Sequence, residues 1–130
     1  MSTSYGYSKT LDVSFDEALS KVPEALKTEG FGVLTEIDVK QTLKKKLDVD
    51  FRRYTILGAC NPPLAHTALQ NDLFLGLLLP CNVVVYEDDS GKVAVSFINP
   101  KEMFKVVDNP DVQGIAEEVD AKMRRALDAI

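Results

Sequence analysis

The chain has 130 residues, 45% of them apolar, which suits one globular domain spanning residues 1–130 and excludes a disordered segment. Its formal net charge of −5 excludes the basic footprint of a general nucleic-acid binder, so no nucleic acid is expected among its partners. The most apolar run, Leu73 to Tyr86, is interrupted by Gly76, Pro80 and Asn82 and is too short and broken to span a bilayer, so no membrane partner is expected either.

Taken in chain order, Tyr5 to Val13 reads as a first strand, with Tyr7, Lys9, Leu11 and Val13 on one alternating face. Ser14 opens a helix and Glu17, three residues on, completes a capping box. Phe15, Ala18, Leu19, Val22 and Leu26 form its apolar stripe, and Gly30 supplies the left-handed residue at its end. Pro23 lies inside and removes one hydrogen bond, so a bend is expected there. Phe31 to Ile37 is a second strand. Asp38 caps a short basic helix through Leu47, with Val39, Leu43 and Leu47 expected inward. Phe51 to Ala59 is a third strand. Asn61 and Pro62 then start another short helix, to about Gln70, since Asn suits the N-cap and Pro the first helical position.

Pro80 to Glu87 is a strand whose Val83, Val84 and Val85 are apolar without alternation, which places it centrally with both faces buried. Asp88-Asp89-Ser90-Gly91 turns it back into Lys92 to Ile98. Lys101 to Val107 fits neither helix nor strand cleanly. Asn109-Pro110 begins a long C-terminal helix, with Val112, Ile115, Ala116, Val119, Met123, Ala126, Leu127 and Ile130 on its buried side. The resulting expectation is an α+β domain: a single mixed β-sheet of about five strands with helices packed on it.

The residues that can carry chemistry centre on "GACNPPLAH", Gly58 to His66. Cys60 ends a strand just before a helix N-terminus, whose N–H dipoles would lower a thiol pKa, whereas a small buried hydrophobe is the plainer reading. His66, the single histidine, lies five residues after Asn61. It pairs with Cys60 as base and nucleophile, forms part of a metal site, or packs on the helix. Cys81 begins a later strand and, like Cys60, is followed by an asparagine, Asn82. If the two strand ends meet, Cys60, Cys81 and His66 form one thiol-rich cluster; otherwise both asparagines serve turns and both thiols are packing. The basic run Lys44-Lys45-Lys46, with Arg52 and Arg53, offers an anion site or a solvated helix face. Gly-rich phosphate loops, Cys-x-x-Cys, His-Glu-x-x-His and Gly-x-Ser-x-Gly are absent from the sequence. The opening MSTSYGYSK has no basic or apolar leader pattern, which with two cysteines leads to the expectation of a cytoplasmic protein with free thiols.

In "GFGVLTEIDV" (Gly30 to Val39), "ILGACNPPLAH" (Ile56 to His66) and "LLLPCNVVVYE" (Leu77 to Glu87) the sequence resembles the domain of unknown function family numbered 302. The resemblance covers nearly the whole chain and implies a compact α+β domain, a homodimer, with no established activity. Cys60, Asn61, Pro62, Ala65 and His66 match its central motif, Pro80, Cys81 and Asn82 a later one, and Glu36 and Asp38 the "TEIDV" segment. Three functional readings stand. The first is a homodimeric binding module with a small-molecule or soft-metal ligand at Cys60, Asn61, His66, Cys81 and Asn82. The second is a thiol enzyme or redox protein using Cys60 with His66. The third is a structural or interaction protein in which the motif is only a joint.

Overall fold

The computed structural model describes residues 3–130. Its elements are β1 (Gly6–Leu11), α1 (Phe15–Thr28), β2 (Gly32–Asp38), α2 (Val39–Leu47), β3 (Tyr54–Cys60), α3 (Pro62–Asn71), a 3-10 segment (Leu73–Leu78), β4 (Cys81–Glu87), β5 (Val93–Ile98), α4 (Pro100–Met103), a second 3-10 turn (Phe104–Val106) and α5 (Pro110–Asp128). The run from Lys101 that fitted no pattern is thus split between a helical turn and a 3-10 turn.

The local signals account for the helix ends. Ser14 Oγ accepts the Glu17 N–H at 3.1 Å and Asp38 Oδ1 that of Gln41 at 2.9 Å. Asn109 caps α5 by accepting the Asp111 N–H at 3.0 Å. At the end of α1, Gly30 has φ +84° and donates to Lys27 O, while Phe31 donates to Leu26 O, both at 3.0 Å. That is the Schellman pattern, in which two orphan carbonyls are satisfied by a left-handed residue that only glycine adopts without strain. Pro23 lies within α1, which continues past it to Thr28.

The five strands form one sheet in the order β1-β5-β4-β3-β2, and every pairing is antiparallel. The α+β class and the strand number agree with the sequence; the mixed sheet does not. The physical reason lies in the topology. The α1 crossover does join two strands running the same way, but β5, β4 and β3 lie between β1 and β2, so no parallel pair forms.

α1 and α5 pack side by side over one face of the sheet. Val22 and Leu26 of α1, Val83 and Val85 of β4, Val95 and Phe97 of β5 and Met123 of α5 are fully enclosed there. Each such side chain contributes about 1.5–3 kcal/mol of burial free energy. A second, smaller cluster, Ala68, Leu75, Phe104, Val112 and Ala116, joins α3 and the 3-10 segments to the first half of α5. β4 is central, as expected, but it is buried on one face only. Val84 points away from the core with Tyr54, Ile56, Tyr86 and Ser96, all half-buried.

α2 departs from its amphipathic reading. Val39 and Leu43 are half-buried, Leu47 is 65% exposed, and none of its residues is buried. The main contacts of the helix are with β2 and β3 toward one edge of the sheet, so its apolar side has no second layer to enter.

Candidate functional site

Asn61 is a joint between elements. Its Oδ1 accepts the Leu64 N–H at 3.4 Å, capping α3, and its Nδ2 donates to Glu29 O at 3.3 Å, at the end of α1. It is 9% exposed, and its side chain lies against Gly30, where an added Cβ would stand 3.0 Å from Nδ2. Gly58 is required on the other side of the motif: a Cβ there would collide with Thr35 Oγ1 and stand 2.7 Å from Pro80 Cγ. Small residues at Gly58 and Ala59 therefore let the Leu79–Pro80 segment, joined by a cis bond, cross close to β3.

Cys81 pairs with Ala59, and both are buried on the core face. Cys60 is the next residue along β3 and pairs with Gly32, so strand alternation directs it to the other side of the pleat. The two cysteines are close neighbours, and both border a cavity of about 30 Å³ between the main core and the second cluster. Phe31, Ala59, Leu64, Ala68, Leu79 and Phe104 are among its walls, with Ile115 and Val119 from α5. Asn61 also borders it. Among the described residues, no charged one does.

The thiols are not activated. Burial pushes Cys60 up from its ordinary value, and burial together with the nearby Cys60 pushes Cys81 up to about 12. The expected lowering at the α3 N-terminus fails for a local reason. Pro62 and Pro63 have no N–H, the Leu64 N–H is taken by Asn61 Oδ1, and that of Ala65 by Asn61 O at 2.9 Å. The first turn has no free donor to offer a thiolate.

His66 is exposed on α3 and does not border the cavity, and Asn82 is exposed on the uncovered sheet face, beside Tyr54, Val84 and Tyr86. Among the described residues, no three His, Cys, Asp or Glu side chains come together as a metal site. The structure thus brings Cys60, Cys81 and Asn61 to one cavity and leaves His66 and Asn82 outside it. The α5 stripe already indicated Ile115 and Val119 as core; Phe104 and Leu79 carried no such signal, because they lie in irregular segments.

Comparison with known proteins places these features in a wider set. A family model described as "Domain of unknown function DUF302" matches residues 7–130. The chain is similar to a crystal structure of an uncharacterized conserved DUF302 protein from Bacillus stearothermophilus, with 30% identity, 98% of each chain covered and a TM-score of 0.90. No curated protein matches. No helix among the described residues is long and apolar enough to cross a membrane.

Proposed function

We propose a binding role on one premise: the chain belongs to the DUF302 family, whose shared domain is of unknown function. In this reading it is a small cytoplasmic module that works as a homodimer and takes a compact apolar ligand, or the end of one, between its two apolar clusters. The observation that carries the reading is the cavity itself. It lies at a seam between separately packed clusters, it borders no charge, and it joins three elements that the GACNPPLAH motif holds in place. Its present volume of about 30 Å³ suits a group of a few atoms, so a larger ligand enters by parting the α3 side from α5. Cys60 and Cys81 serve as polarizable wall atoms rather than as nucleophiles.

Native mass spectrometry and elemental analysis of freshly purified protein test this directly. A bound organic mass, or saturable methyl shifts with xenon or benzene that vanish in Ala68→Leu, is expected. A bare chain whose cavity methyls ignore both probes would overturn the reading, as would stoichiometric zinc or copper in place of an organic ligand.

The homodimer reading is supported by the β2 edge. β2 is an edge strand, and Leu34 and Ile37 on it are 66% and 48% exposed. Sedimentation at micromolar concentration should give twice the chain mass, reduced to one chain mass by Leu34→Glu; a wild-type monomer would count against it.

A further inference from the structure

A second recess lies at the opposite end of β3 from the cavity, where the first turns of α1 and α2 face the ends of β2 and β3. It has a volume of about 730 Å³, within the range of small-molecule sites. Three carboxylates, Asp16, Glu36 and Asp38, and two cations, Lys40 and Arg53, border it.

The cations are committed elsewhere. Arg53 donates to Asp16 Oδ1 at 2.6 Å and lies over the Phe15 ring at 4.3 Å, and Lys40 donates to the Phe51 carbonyl at 2.9 Å. Asp38 uses Oδ1 for the α2 cap. Glu36 makes no hydrogen bond or ion pair among the described residues, which leaves its carboxylate and the second oxygen of Asp38 unspent.

The independent observation is Thr55. It is paired directly with Asp38 across the β2–β3 ladder and is 4% exposed, yet no hydrogen bond of its hydroxyl occurs among the described residues. No buried side-chain polar atom among them lacks a partner, so this hydroxyl still reaches the recess that Thr55 borders. A hydroxyl on a buried residue opposite one carboxylate, with a second carboxylate two residues along the same strand face, places three oxygen acceptors on one wall of the recess.

We infer that this recess binds a small primary ammonium, its three N–H donors directed to Glu36, Asp38 and Thr55. Three donors on a single cation match three acceptors, and the net charge of −1 from the bordering side chains is neutralised by one positive ligand. The inference is independent of the apolar cavity, which lies at the other end of β3.

The test is a titration of the ¹⁵N-labelled full chain at pH 7 with n-butylammonium, and in parallel with tetramethylammonium, butyrate and calcium. Butylammonium should give saturable shifts at residues 36–42 and 53–55 and none around Cys60. Glu36→Gln should weaken it about tenfold and Thr55→Val several-fold, both at positions where the replacement keeps shape. Tetramethylammonium, which lacks N–H donors, should bind at least about tenfold more weakly. Equal binding of tetramethylammonium, preference for calcium or butyrate, unchanged affinity in Glu36→Gln, or no saturable shift up to tens of millimolar would each overturn the inference.

Discussion

Cys81 shows how one residue separates a reactive-site reading from a packing one. Its thiol is neutral because it is enclosed at the end of a central strand, with a second thiol beside it. An acid whose pKa rises on folding holds its proton more tightly in the native state. Below pH 9, the ordinary value, both states keep the proton and the thiol adds no pH dependence. Above it the unfolded chain ionises first, so stability falls, by up to about 1.4 kcal/mol per pH unit, until the folded thiol also ionises. Urea midpoints at pH 8, 9 and 10 should therefore decline in the wild type and decline less in Cys81→Ala. Tyr7, raised mainly by burial and by Asp120, enters only at higher pH. Parallel wild-type and variant curves would show that Cys81 titrates normally. The sequence could indicate that Cys60 and Cys81 stand at strand ends, but not their parity. A shift of one residue in the β3–β4 register would place both on one face, and Val83-Val84-Val85, apolar without alternation, does not choose between the two registers.

At the level of elements, the tight point is the crossing of Pro80 over Gly58. Gly58→Ala should cost about 1–3 kcal/mol, because the new methyl must displace Thr35 and the Pro80 ring rather than fill space. The same change at Gly76 or Gly114, where nothing stands within 4 Å, should cost little; equal losses at all three would remove the crossing as the cause. Caps and turns were the legible part of these elements. Ser14, Asp38, Asn61 and Asn109 each cap the helix they announce, and Gly91, with φ +84°, closes the β4–β5 hairpin. Faces were legible only where a second layer exists. The stripe of α5 is buried almost as read, while that of α2 is not, since periodicity reports which side is apolar and not whether anything covers it. The Asp38–Thr55 pair was invisible for a related reason: it joins two segments through a ladder, and neither segment alone marks it.

For the whole molecule, the two clusters differ in size and in cover. The main core takes all of the central strands, whereas the second rests on five buried residues beneath a 3-10 segment whose Leu73, Phe74 and Leu77 are 85%, 79% and 83% exposed. Sub-global opening should begin there. Native-state hydrogen exchange is expected to protect β4 and β5 up to the global stability and α3 well below it, and any ligand of the seam should raise α3 selectively. Uniform protection would mean that both clusters unfold as one unit.

The strand order also sets a schedule. Among the described strands, β1 is paired with β5 alone, with Leu11 opposite Val93. At roughly 5–20 residues per second of synthesis, that partner leaves the ribosome about 4–16 s after β1 does. During that interval α1 is complete but the sheet it lies on is still being assembled, as β2, β3 and β4 each pair with their immediate successors. The first strand made is thus the last to be placed, and the nascent chain spends those seconds with the apolar stripe of α1 open to whatever chaperone attends it.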